Sequence, residues 1–248
     1  MPARSRSSIA RASAEVPIAY VFHPMFWPYV EALDSCRVVY HADDRFAGVP
    51  GSGPEIAGFE RALCERADRI FAITPGVARG LPECAASKTV LVPNGADAEA
   101  YERASRSLAP ALLAEIPRPW IAYAGSLNEK IDFALINRLA SARAAAFHWL
   151  LIGPIHGEGQ LSRETRTELA LCRRQPNVHF LGVVDYSELP AYCAHVDANA
   201  MFYRTDGDGW WRDIYPLKLH ECLAAGRPLL SSDVPAVREF SRSRHDLQ

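Results

Sequence analysis

The six cysteines of this 248-residue chain form no C-x-x-C pair and no cluster with metal-ligand spacing. Cys36, Cys64, Cys84, Cys172, Cys193 and Cys222 are scattered through helix-like and strand-like segments, and they read as reduced thiols, not as a disulfide framework. An excess of either charge is also missing. With 27 Lys and Arg against 29 Asp and Glu the net charge is −2, which excludes the broad basic field that duplex nucleic acid requires and confines any anion binding to a local site. No run of about 18 apolar residues occurs, so no segment reads as a bilayer-spanning helix. The opening residues, with Arg4, Arg6 and Arg11, lack the apolar core of a signal peptide, and residues 1–15 read as a disordered tail. No strand pattern is followed by G-x-G-x-x-G, which disfavours a dehydrogenase. These absences describe a soluble, cytoplasmic globular protein whose chemistry is carried by a few residues.

Short apolar runs alternate with helical patterns, the rhythm of parallel sheets wrapped by helices. The predicted strands are Ile18–Phe22, Arg37–His41, Arg69–Ile73 and Thr89–Val92, then Trp120–Ala124, Phe147–Ile152, Val178–Leu181, Ala198–Tyr203 and Leu229–Ser231. Between them, Ile56, Phe59, Leu63 and Ala67 share one helical face, and Thr74-Pro75 opens a further helix. A Pro-marked stretch from Pro110 to Pro119 separates the two series, and the boundary is predicted between residues 16–107 and 108–248. Ligands of open parallel sheets collect at the carboxyl ends of strands. His41, Gly125 with Ser126, Gly153 and the loop after Tyr203 all fall there.

The most informative passage runs from Asp213 to Pro228. Pro216 suits the first position of a helix, and Gly226 and Pro228 stop it. The free amides of Leu217 and Lys218 point out with the positive end of the helix dipole, an arrangement that receives phosphate, and Lys218 adds a point charge. Glu221, one turn on, can accept from two vicinal hydroxyls such as those of a ribose. An ordinary amphipathic helix with a surface Lys/Glu pair fits the same residues.

Four passages in order, Val90–Asp97, Ala122–Lys130, Asn177–Val183 and Pro216–Pro228, resemble the GT-B glycosyltransferases, and within them the sucrose-synthase-like retaining group 1 family that uses nucleotide sugars. The resemblance implies two Rossmann-like α/β domains with an incomplete amino-terminal one. It implies that Glu221 holds the donor ribose and that Asp213 contacts the donor sugar, where the family usually has glutamate. Lys130 would neutralise the diphosphate leaving group without the arginine companion usual in the family. Gly125, Ser126, Leu217 and Lys218 would line the donor site, Gly182 and Val183 would offer backbone atoms to the base, and Tyr186 could stack on it. His41 would face the donor sugar. The implied activity is sugar transfer from a nucleotide-sugar donor to a sugar or lipid-linked acceptor in polysaccharide or glycolipid assembly, with retention, with no metal or other cofactor and with peripheral contact at the inner face of a membrane. A shortened non-catalytic relative that binds nucleotide or a partner subunit, and a sugar-nucleotide epimerase, are the alternatives.

Three features stand beside this reading. Asp206-Gly-Asp208 is a D-x-D, but it lies in a doubly wound rhythm foreign to the fold in which that pattern binds manganese. The aromatic cluster from Phe22 to Tyr29 suits core packing more than an acceptor surface. Adjacent indoles at Trp210 and Trp211 in a polar loop suggest a partner.

Overall fold

The structure, a computed structural model, describes residues 16–48, 52–142, 146–206 and 216–243. They divide into two compact units, the first ending at Asn94 and the second beginning at Gly95.

In the first unit β1 (Ile18–Val21), β2 (Arg37–Ala42), β3 (Arg69–Ala72) and β4 (Thr89–Leu91) are all parallel and lie side by side in chain order. They are connected through α1 (Trp27–Glu31), α2 (Ile56–Arg66) and α3 (Pro75–Gly80). Helix α3 starts as its sequence dictates. The Thr74 hydroxyl accepts the Val77 N–H at 2.9 Å, and Pro75 occupies a first-turn position where no N–H is needed. Because the strand order never reverses, right-handed crossovers carry these helices to one face of the sheet. There Val38, Tyr40, Ala42, Ile70 and Ala72 pack with Ile56, Leu63, Cys64 and Val77. Ile18, Tyr20 and Phe22 remain exposed.

The second unit begins with α4 (Ala98–Ser105), capped by the Asp97 carboxylate, which accepts the Ala100 N–H at 3.0 Å. It continues through β5 (Trp120–Ala124), α5 (Phe133–Ala142), β6 (His148–Ile152), α6 (Arg163–Cys172), β7 (Val178–Gly182), α7 (Leu189–His195), β8 (Ala198–Met201), α8 (Leu217–Ala224), β9 (Leu229–Ser231) and α9 (Pro235–Ser243). Its parallel sheet has the order β7-β6-β5-β8-β9, so the chain reverses direction between β5 and β8. Reversal sends the crossovers to both faces, and every residue of β5 is buried. The boundary falls earlier in the chain than the predicted one, because α4 packs on α7 and α8. Tyr101 of α4 is buried in the same core as Trp120, Tyr192 and Cys193.

Candidate functional site

A strand-order reversal opens a crevice at the carboxyl ends of the two strands that flank it. Here those strands are β5 and β8, and the residues just past them build the site. Gly125 follows β5 with a φ of 139°, a conformation that side chains rarely adopt. A Cβ on it would lie 1.9 Å from the Lys218 Nζ, so the absent side chain is where the ammonium sits. Gly153, past β6, has a φ of 133°, and a Cβ there would come 2.3 Å from the Gly125 carbonyl oxygen. The Gly125 N–H donates to Ile152 O at 2.7 Å and the Gly153 N–H to Gly182 O at 2.7 Å, tying the ends of β5, β6 and β7 into one edge.

Lys218 and Lys130 approach this edge from different elements. Lys218 comes from the first turn of α8, with its ammonium 5.1 Å from the centre of the Tyr123 ring. Lys130 comes from the β5–α5 loop, 5.5 Å from the centre of the Tyr203 ring. The two tyrosines are buried and meet edge to face with centroids 6.3 Å apart, so one aromatic pair carries both cations. Burial holds both phenols above their usual range, so they remain neutral. Cation–ring contacts at such distances contribute about 0.5–2 kcal/mol each. Burial also holds the Lys218 ammonium below the usual lysine range, with the Glu221 carboxylate acting in the opposite direction. Among the described residues no hydrogen bond or ion pair satisfies that ammonium.

Glu221 lies one turn along α8, half-buried, and accepts the Tyr186 hydroxyl at 3.2 Å. Tyr186, for which stacking on a base is the expectation, is 77% exposed. Leu217 is the first residue of α8 and is exposed. Pro216 stands one place earlier than predicted, as the N-cap. Its ψ of 120° is extended, and its carbonyl still accepts the Leu219 N–H at 3.0 Å. Among the described residues no side chain caps the start of α8. Gly182 and Val183 are exposed at the end of β7. The carbonyl of Ser126 accepts the Tyr123 hydroxyl at 3.0 Å.

The structure therefore brings Gly125, Ser126, Lys130 and Lys218 together, with Glu221 on the next turn of α8. His41 belongs to the first unit. Its Nδ1 lies 3.1 Å from the Tyr20 hydroxyl among the rings of Tyr20, Phe22 and Phe71, while its buried Nε2 has no hydrogen-bond partner among the described residues. Asp213, Asp208, Trp210 and Trp211 lie outside the described residues. Asp206, the first acid of the D-x-D, is bonded to Arg204 at 3.0 and 3.2 Å. The paired tyrosines escaped sequence reasoning because an aromatic residue in a buried strand reads as core, and nothing local announces a cation against its ring.

Residues 118–246 match the family model described as glycosyl transferases group 1. TuaH of Bacillus subtilis strain 168, whose name assigns it to teichuronic acid biosynthesis as a glycosyltransferase, is 24% identical over 246 residues, covering 94% of this chain and 59% of TuaH. Among solved structures, Anabaena HepE in complex with UDP-glucose superposes with a TM-score of 0.67 at 16% identity, over 89% of this chain and 61% of HepE. Sucrose-phosphate synthase from Thermosynechococcus elongatus does so with a TM-score of 0.66 at 16% identity, over 90% and 57%. The chain thus spans about three fifths of the length of these relatives. The structural likeness shows the GT-B fold expected from the sequence.

Proposed function

Because this chain belongs to the group 1 glycosyl transferases, we propose that it moves a sugar from a nucleotide-sugar donor to an acceptor hydroxyl, with the donor diphosphate held at the edge formed by Gly125, Lys130 and Lys218. The observation that carries this reading is the convergence of two ammonium groups on one buried tyrosine pair, beside a glycine with no room for a side chain. Departure of the diphosphate builds negative charge, and cations fixed in advance stabilise it without reorganising at the moment of reaction. Lys218 is half-buried and has no bonded anion among the described residues, so a diphosphate would supply a counter-charge. The first amides of α8, which no side chain among the described residues caps, add partial positive charge. Glu221 holds the ribose hydroxyls, with Tyr186 orienting its carboxylate. Lys218 supplies the second cation, in place of the arginine companion usual in the family.

The UDP-glucose complex of HepE makes a uridine diphosphate sugar the first donor to test, and TuaH makes a surface polysaccharide the first acceptor class. His41 and Asp213 are the residues proposed to face the transferred sugar, and retention is proposed on the family's mechanism. The transfer takes place without a metal or cofactor, and the protein touches a membrane only peripherally. Calorimetric titration with UDP, GDP and ADP tests the donor site. At least one is expected to bind, and Lys130→Ala and Lys218→Met are each expected to weaken binding about 10–100-fold, the size of one charge-assisted contact. Failure of all three nucleotides to bind would overturn the proposal. Binding without release of sugar from UDP-glucose or transfer of it would favour a non-catalytic nucleotide-binding relative.

A further inference from the structure

We infer that Glu129 is a positioning residue for Lys130, locking the β5–α5 loop so that the ammonium faces the diphosphate; this rests on the donor-site reading above. The loop is already held by its backbone on both flanks. Leu127 forms an isolated bridge with Ile155 past β6, and Ile131 forms another with Tyr203 past β8. The Arg204 N–H donates to the Lys130 carbonyl at 2.8 Å. Between these anchors the Glu129 side chain reaches out of the loop to the start of α6. Its Oε2 accepts the Ser162 N–H at 3.0 Å, and its Oε1 accepts the buried Thr165 hydroxyl at 2.7 Å. The Arg204 guanidinium stands 3.6 Å from Oε1.

Burial opposes ionisation of Glu129, but the bonds from Thr165 and Ser162 and the charge of Arg204 outweigh it and keep the carboxyl below its usual range. The side chain is therefore an anchored carboxylate. Its neighbour Lys130 turns to the Tyr203 ring, so two successive residues face different elements and the fixing of one sets the direction of the other. A residue that only caps α6 would use the same bonds with Ser162 and Thr165 but would have no energetic link to Lys130.

A double-mutant cycle separates the two roles. UDP binding and UDP-glucose turnover are measured for the wild type, Glu129→Ala, Lys130→Ala and the double variant, with melting temperatures for each. Glu129→Ala is expected to weaken UDP about tenfold in the wild-type background and less than about twofold in the Lys130→Ala background. Glu129→Gln, which keeps an acceptor oxygen for the Thr165 hydroxyl, is expected to restore most of the affinity, and Glu129→Met, which has no such oxygen, replaces the alanine in the cycle if that variant does not fold. Equal losses in both backgrounds, or no loss in either, would overturn the inference while leaving the donor site standing. If the wild type binds none of UDP, GDP and ADP, the donor-site reading falls and this inference falls with it.

Discussion

The two units follow the same parallel strand-and-helix rhythm, yet one strand order runs straight and the other turns back. In the first unit the order β1-β2-β3-β4 never reverses, so the helices gather on one face. Burial then alternates along β2 from Val38 to Ala42, and the other face keeps Ile18 at 64% and Phe22 at 53% exposure. In the second unit the turn between β5 and β8 covers both faces, makes β5 continuously buried and opens an edge where two lysines meet. Topology, more than composition, decides which unit has a strand-order reversal. The first unit is a one-sided scaffold, whereas the second is a core with a site at its rim.

The largest effect should come from the doubly covered core. Leu151 has no solvent exposure, and Leu151→Ala should destabilise the second unit by about 2–5 kcal/mol in denaturant unfolding. A loss under about 1 kcal/mol would show that its sheet is not packed from both sides.

Next in size is the rim itself, where function and stability should oppose one another. Burial depresses the Lys218 pKa. Between that lowered value and the ordinary lysine range near about 10.4, the unfolded chain binds more protons, so stability rises with pH there. The charged ammonium is a burden on the free fold. Lys218→Met should therefore raise the melting temperature while UDP affinity falls about 10–100-fold. A variant that lost both stability and binding would show that the ammonium is satisfied within the fold.

Much of this comparison was legible in the sequence. Trp120–Ala124 and Leu229–Ser231 form with the predicted limits, since an apolar run bounded by polar or turn residues leaves a strand little latitude. Thr74-Pro75 opens a helix because capping is local chemistry. What stayed hidden depends on distant neighbours. The assignment of α4 to the second unit follows from its packing on α7 and α8. The partners of Glu129 are 33 and 36 residues away, and a glutamate in a polar turn carries no mark of them. The spacing of Lys218 and Glu221 revealed a shared helical face, but the ring beneath Lys218 and the glycine beside it became visible only in three dimensions.

A smaller effect should separate the core of the first unit from the rim of the second. The Tyr40 hydroxyl donates to the buried Glu60 carboxylate at 2.7 Å. Burial raises the Glu60 pKa against the opposing effect of that bond. The folded state therefore binds more protons than the unfolded chain from about pH 4.3 upward, so stability falls as pH climbs through the raised value. Tyr40→Phe should cost about 1–2 kcal/mol at neutral pH and less in acid, with UDP affinity unchanged. A change in nucleotide affinity would break the division of labour between the units.

The smallest effect should lie on the bare face of the first unit. Ile18 is 64% exposed at the start of β1, so it has little apolar area left to lose on substitution. Ile18→Thr keeps the branched Cβ that suits a strand and should shift stability by no more than about 0.5 kcal/mol. Ile121→Thr makes the same chemical change in β5, where the side chain is 7% exposed, and should cost about 1–3 kcal/mol by burying a hydroxyl without a prepared partner. The pair removes residue type as a variable and leaves only coverage of the sheet. Equal losses at the two positions, measured in the same denaturant series, would mean that Ile18 is covered in solution, and the contrast between a one-sided and a two-sided sheet would not survive.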